Sequence, residues 1–124
     1  MDEKVKLNVW GREFLLDVHY DCYEGESILP SQREAVNELK ADISKIDQSL
    51  AKVKLYCQER DGLAKIDNDN IFEYVIPECI YVKRTSEQIP PIGLMCKYQF
   101  NQDDGLAVVF EKDKITVGSQ NILL

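Results

Sequence analysis

The stretch VKLNVWGREFLLDV, residues 5–18, alternates apolar and polar side chains on both sides of a single glycine. A Gly-X pair suits a two-residue hairpin turn, so Gly11-Arg12 reads as the bend between two strands. Folding there sets Val9 against Phe14, Leu7 against Leu16 and Val5 against Val18, all on one face. On the other face Lys6 falls opposite Asp17 and Lys4 opposite His19, which gives a cross-strand charge pair. A ribbon with one apolar face needs a cover, and the next part of the chain has the pattern to provide one.

That cover reads as helical. Ser31 followed by Glu34 is a capping box and marks a helix start. Val36, Leu39, Ile43, Ile46, Leu50, Val53 and Cys57 then recur at spacings of three and four, one apolar stripe along a helix over about 31–60. Asp47 is a candidate cap for a second helix, so the segment is one long helix or two with a break near 43–47. Asp61-Gly62 ends it. DGLAKIDNDN reads as a loop, and IFEYVIP as a short apolar element stopped by Pro77. Over 79–118 the strands CIYVKR, IGLMCKYQF, LAVVFE and KITVG follow, joined by EQIPPIG, NQDDG and KDK. Together these predict one α+β domain over residues 1–124. Its antiparallel sheet combines the N-terminal hairpin (1–20) with a C-terminal four-strand meander, packed by the central helices.

Of the 124 residues, 44% are hydrophobic and 30% charged, and the net charge is −7. That balance repels a phosphate backbone and an anionic membrane, so neither is an expected partner. It suits a basic protein surface. No apolar run is long enough for a membrane span. MDEKVKLNVW has no apolar stretch after its charges and so reads as no export signal. Cys22, Cys57, Cys79 and Cys96 form no CxxC pair, which predicts reduced thiols in apolar patterns and a cytoplasmic protein. No cofactor is expected.

VHYDCYEGES, residues 18–27, gathers the only histidine, a cysteine and several carboxylates. Strand alternation sends His19 and Cys22 to opposite faces, which argues against a metal pair or a nucleophilic dyad. No serine sits in a GxSxG elbow. DNDNIFE lacks the glycine and closing glutamate of a calcium loop. The glycines never cluster to cradle a phosphate. What stands out is acidity: Asp17, Asp21, Glu24 and Glu26 crowd this exit loop without a lysine or arginine between them. On the first helix Glu34, Glu38 and Asp42 lie four apart, a spacing at which like charges repel. Lys45 can offset Asp42 and the helix dipole accounts for Glu34, whereas Glu38 has no such explanation. These carboxylates are the candidate docking surface for a basic partner.

Three segments, IPECIYV, IGLMCKYQF and DDGLAVVFEKDKITVGSQNILL, carry a resemblance. Pro77, Ile80 to Val82, Gly93-Leu94, Asp104 to Val108 and Val117 to Gln120 resemble a widespread group of small bacterial α+β domains of uncharacterised function. Asn121 stands where that group often has aspartate, and Asp104 where histidine is common. Gln32 and KLYCQER fit the middle of the group loosely, so the likeness spans residues 5–124. Members look like proteins encoded beside polymorphic toxins, including immunity proteins of contact-dependent growth inhibition systems. The resemblance implies an α+β fold and a non-enzymatic protein that binds a cognate toxin domain. If that toxin is a nuclease, its basic groove suits the carboxylates singled out by their charge, Asp17, Asp21, Glu24 and Glu26, with Glu34 and Glu38 second. Two other readings compete. One is a small hydrolase or metal-dependent enzyme using His19 and nearby carboxylates. The other is an interaction or homo-oligomeric module using the sheet face that carries Met95, Ala107 and Val109.

Overall fold

The computed structural model describes residues 3–22, 25–62, 66–67, 69–84, 90–111 and 114–122. The hairpin is formed by β1 (Glu3–Val9) and β2 (Arg12–Tyr20). Its turn is Trp10-Gly11, not Gly11-Arg12, and the register differs by two residues from the sequence expectation. Val9 pairs with Arg12, Leu7 with Phe14, Val5 with Leu16, and Lys4 with Asp17. A shift of two preserves which face each side chain occupies, so Val5, Leu7, Val9, Leu16 and Val18 are all buried together. Trp10 (φ 52) and Gly11 (φ 90) both have positive φ, as a I′ hairpin turn requires.

An indole in the left-handed region is strained, and the structure shows what holds it there. Trp10 Nε1 donates to the Ile46 carbonyl at 3.2 Å and to Ser49 Oγ at 3.1 Å. Its ring stacks on Phe72, with centroids 5.9 Å apart. The turn is therefore placed by tertiary contacts with a helix far along the chain.

Two helices follow, α1 (Pro30–Ala41) and α2 (Ile43–Asp61), broken at Asp42. The N-terminal cap is not the predicted Ser31/Glu34 box. Pro30 opens the helix, where its missing N–H costs nothing. The Leu29 N–H donates to Gln32 Oε1 at 2.9 Å, while the Gln32 N–H donates to the Leu29 carbonyl at 3.0 Å. At the break Asp42, rather than Asp47, is the hinge residue (φ −121, ψ 74). Ser44 Oγ donates to its carboxylate. The change of direction moves Ile43 out of the predicted stripe to 42% exposure, while Ile46, Leu50, Val53 and Cys57 stay buried. Gly62 in the left-handed conformation terminates α2, its N–H bonded to the Gln58 carbonyl.

A short helix, α3 (Ile71–Tyr74), leads into β3 (Val75–Val82), then β4 (Ile92–Tyr98), β5 (Leu106–Glu111) and β6 (Lys114–Gly118), with a 3-10 turn at Gln120–Ile122. The sheet has six strands in the order β1-β2-β3-β4-β5-β6. It is mixed, not wholly antiparallel: β2 and β3 pair in parallel, Asp17 to Tyr20 against Cys79 to Val82. A parallel pair needs a long crossover, and the helices of residues 21–74 form it. The meander β3 to β6 is antiparallel, as expected.

β3 also runs through Pro77 instead of starting after it. Proline is tolerated because pairing with β2 begins only at Cys79, and the register slips between Pro77 and Cys79, a β-bulge that leaves Glu78 unpaired. α1 and α2 cover one sheet face, burying Ile80, Val82, Leu94, Cys96, Leu106 and Val108 with the hairpin residues. β4 is more buried than its alternation suggested. Met95 joins Ala107 and Val109 in a second cluster on the opposite face, flanked by Cys79 and Tyr81.

Candidate partner-binding surfaces

The acidic exit loop is built on the end of β2. Asp17 and His19 project from the face opposite the main core. Lys4 Nζ lies 3.7 Å from Asp17 Oδ1, with about half of each side chain exposed, a geometry worth little to stability. His19 is exposed beside Tyr81 of β3. Asp21 continues the pairing, its N–H donating to the Val82 carbonyl at 2.9 Å. Its carboxylate charge adds to burial in pushing the Tyr81 phenol up from its ordinary pKa.

Beyond this point the loop is clamped by Arg84. Arg84 Nη2 donates to Glu26 Oε2 at 2.6 Å, and Nη1 to the Ser27 carbonyl at 2.9 Å. Nη1 also lies 3.6 Å from Cys22 Sγ. The Arg84 side chain is only 12% exposed, so this ion pair organises the loop more than a surface pair would. Cys22 contacts Arg84, while His19 sits on the sheet face. Glu24 lies outside the described residues. Among the described residues no three His, Cys, Asp or Glu side chains are grouped to hold a metal ion.

Gln32 ties α1 to the same corner. It is fully buried, and Nε2 donates to the carbonyls of Asp21 (3.0 Å) and Lys83 (3.2 Å), with Val82 at 3.5 Å. With Gln32, Ala35, Val36 and Leu39 facing inward, helical geometry turns Glu34 and Glu38 outward, and both are exposed. Arg33, on the flank towards β1, donates to Glu3 at 2.9 Å, and the Tyr20 hydroxyl donates to the same carboxylate. Burial, then the Glu3 hydrogen bond, raises the Tyr20 phenol well above its usual range. The docking residues thus divide in three: Asp17 and Glu26 have internal counter-ions, Asp21 lies beside Tyr81, and Glu34 and Glu38 lie on an exposed helix face.

Three thiols, Cys57, Cys79 and Cys96, are held towards the protonated form, whereas nucleophilic chemistry requires the thiolate. All described cysteines are free. Burial raises Cys57 and Cys96, and burial with the charges of Glu78 and Asp17 pushes Cys79 up to about 11. The Tyr98 hydroxyl donates to Asp61 beside Cys57, a partly buried tie between β4 and the end of α2.

A further surface lies at the start of β3 and the end of β4. A cleft of about 480 Å³ is lined by Glu73, Tyr74, Ile76, Glu78, Lys97, Tyr98, Gln99 and Gln102. Ile76 and the neighbouring Phe100 are each 45% exposed, and Phe100 stacks on Tyr74 at 5.7 Å. No sequence motif marks these residues as a group. The available signal is the apolar run IFEYVIP, with Glu73 inside it and Glu78 directly after it, which reads in sequence as an element stopped at Pro77. By contrast Met95, Ala107 and Val109, the residues named for an interaction face, are at most 8% exposed. Among the described residues no helix is long and apolar enough to cross a membrane.

No curated protein and no solved structure matches the chain. One family does, over residues 1–124, and its description is a domain of unknown function. With the whole chain matched, the protein belongs to the DUF6985 family.

Proposed function

We propose that the protein is a non-enzymatic immunity protein, which binds a bacterial toxin domain in the cytoplasm and blocks it with acidic surface. The observation that carries this reading is the pair Glu34 and Glu38. They lie four residues apart on the exposed face of α1, and neither forms an ion pair among the described residues. Like charges at this spacing cost a few tenths of a kcal/mol, roughly 0.2–0.5 per pair, with no folding benefit at Glu38. A basic partner converts that cost into attraction and faster encounter. If the toxin is a nuclease, its phosphate-binding groove has the matching charge. Asp21 extends the surface. Glu26, held in place by Arg84, flanks it, while Asp17 beside Lys4 lies on the opposite face of the sheet and stands apart from it.

The experiment is co-expression with the toxin domain encoded beside the gene. The wild-type protein is expected to relieve growth arrest, and the triple variant Asp21→Lys, Glu34→Lys, Glu38→Lys to fail while remaining folded by circular dichroism. A neighbouring gene that encodes no toxin refutes the immunity reading, and full protection by the folded triple variant refutes the surface assignment.

A further inference from the structure

The cleft at the start of β3 lies at the end of the sheet, between Ile76 and Lys97, which pair with each other and by alternation share the face of Met95, and Tyr74 and Tyr98, which pack with the main core. It owes its shape to the bulge. Because β2 pairs with β3 only from Cys79 onward, residues 75–78 are bonded on the β4 side alone. Glu78, the unpaired residue, projects from the irregularity, and bulges of this kind re-aim side chains beside functional surfaces.

The lining combines three chemistries. Tyr74 and Ile76 give apolar contact area, extended by Phe100. Gln99 and Gln102 offer amide groups. Glu73 and Glu78 supply two carboxylates against the single cation Lys97, whose ammonium is 3.7 Å from Glu78 on a side chain 70% exposed. So exposed a pair is readily exchanged for a better-placed cation. Guanidinium groups already pack on aromatic rings elsewhere in the molecule, Arg12 at 4.5 Å from Phe72 and Arg60 at 5.9 Å from Tyr56.

We propose that this cleft is a docking socket for an arginine side chain of a partner protein, presented next to an apolar residue. The guanidinium sits between the Glu73 and Glu78 carboxylates with its face against the Tyr74–Phe100 pair. The apolar neighbour covers Ile76. A phosphate-bearing ligand is repelled by the same carboxylates. The socket lies at the start of β3, whereas α1 is tied through Gln32 to the other end of that strand at Val82 and Lys83, so it is a second surface and stands whether or not the immunity reading does.

The test is a titration of the full chain with N-acetyl-arginyl-phenylalanine amide, followed by amide chemical shifts, with the citrulline analogue as the uncharged control. Shifts confined to residues 73–78 and 97–102 are expected from the arginine compound. They are expected to weaken at least tenfold in Glu73→Gln/Glu78→Gln and to persist in Glu34→Gln/Glu38→Gln. Equal shifts from the citrulline compound, shifts spread over the other carboxylates, or none at tens of millimolar overturn the proposal. The double glutamine substitutions are isosteric and exposed, and the unchanged remainder of the spectrum checks that the fold is intact.

Discussion

Trp10 shows how one side chain settles a turn that local chemistry reads differently. Glycine pointed to a bend at Gly11-Arg12, but the bend moves back one residue because the indole is bonded to Ile46 and Ser49. Trp10→Ala is expected to destabilise the fold by about 3–5 kcal/mol, and Trp10→Phe, which retains the stack on Phe72, by about 1 kcal/mol. Urea denaturation followed by circular dichroism measures both, and a Phe variant as stable as wild type would show that the indole hydrogen bonds contribute nothing beyond the ring. Which residues face the core was legible from alternation. Their cross-strand partners were not, because a bond from residue 10 to residue 46 leaves no local trace. Titration belongs to the same scale. Cys79, Tyr20, Tyr81 and Tyr98 all have raised pKa values, so the fold favours their protonated forms. The resulting stability is present below the unfolded values and is lost as pH rises through the folded ones. The urea midpoint is therefore expected to hold up to the ordinary thiol value of 9.0 and to fall above it, with Cys79, Cys57 and Cys96 sharing the first part of the decline. Cys79→Ala should make that first part shallower and leave the share of Cys57 and Cys96; an unchanged pH profile would count against the raised Cys79 thiol.

At the scale of elements, the helical segment was legible in its length, its apolar stripe and its end at Gly62. The break was visible only as a choice between one helix and two. Asp42 makes it, and the displaced Ile43 marks the consequence for packing. Gln32 is the residue that locks α1 to the sheet, satisfying carbonyls at the exits of both β2 and β3. Gln32→Ala leaves those carbonyls and the Leu29 N–H without their side-chain partner, an expected loss of roughly 1–3 kcal/mol. Gln32→Glu should cost more, since a carboxylate then faces carbonyl oxygens in a buried site. Chemical denaturation of the two variants checks the order, and a Glu variant as stable as wild type would mean that Nε2 is not the linking donor. Pro77 illustrates the opposite difficulty. A proline is read as the end of a strand, yet β3 accepts it on a stretch whose β2 side is unpaired.

For the whole molecule, the sequence made the α+β class and the C-terminal meander legible, while the parallel β2–β3 pair was not. Strand order across a crossover depends on where the helices return the chain, and no local pattern encodes it. The candidate surfaces divide in the same way. Carboxylates close in sequence were visible as a group, and folding separated them: Glu26 went to Arg84, Asp17 to Lys4, and Glu34 and Glu38 to an open helix face. The β3–β4 cleft escaped notice because its carboxylates are brought together by a bulge and a turn. With a net charge of −7 the protein has the charge to attract a basic partner from a distance, and salt weakens that attraction. The most direct measurement is a calorimetric titration with the toxin domain encoded beside the gene, at low and at high salt. Tight binding is expected, loosening as salt rises and dropping at least tenfold when Glu34 and Glu38 are reversed to lysine; no binding, or binding indifferent to both salt and reversal, would contradict the acidic docking surface.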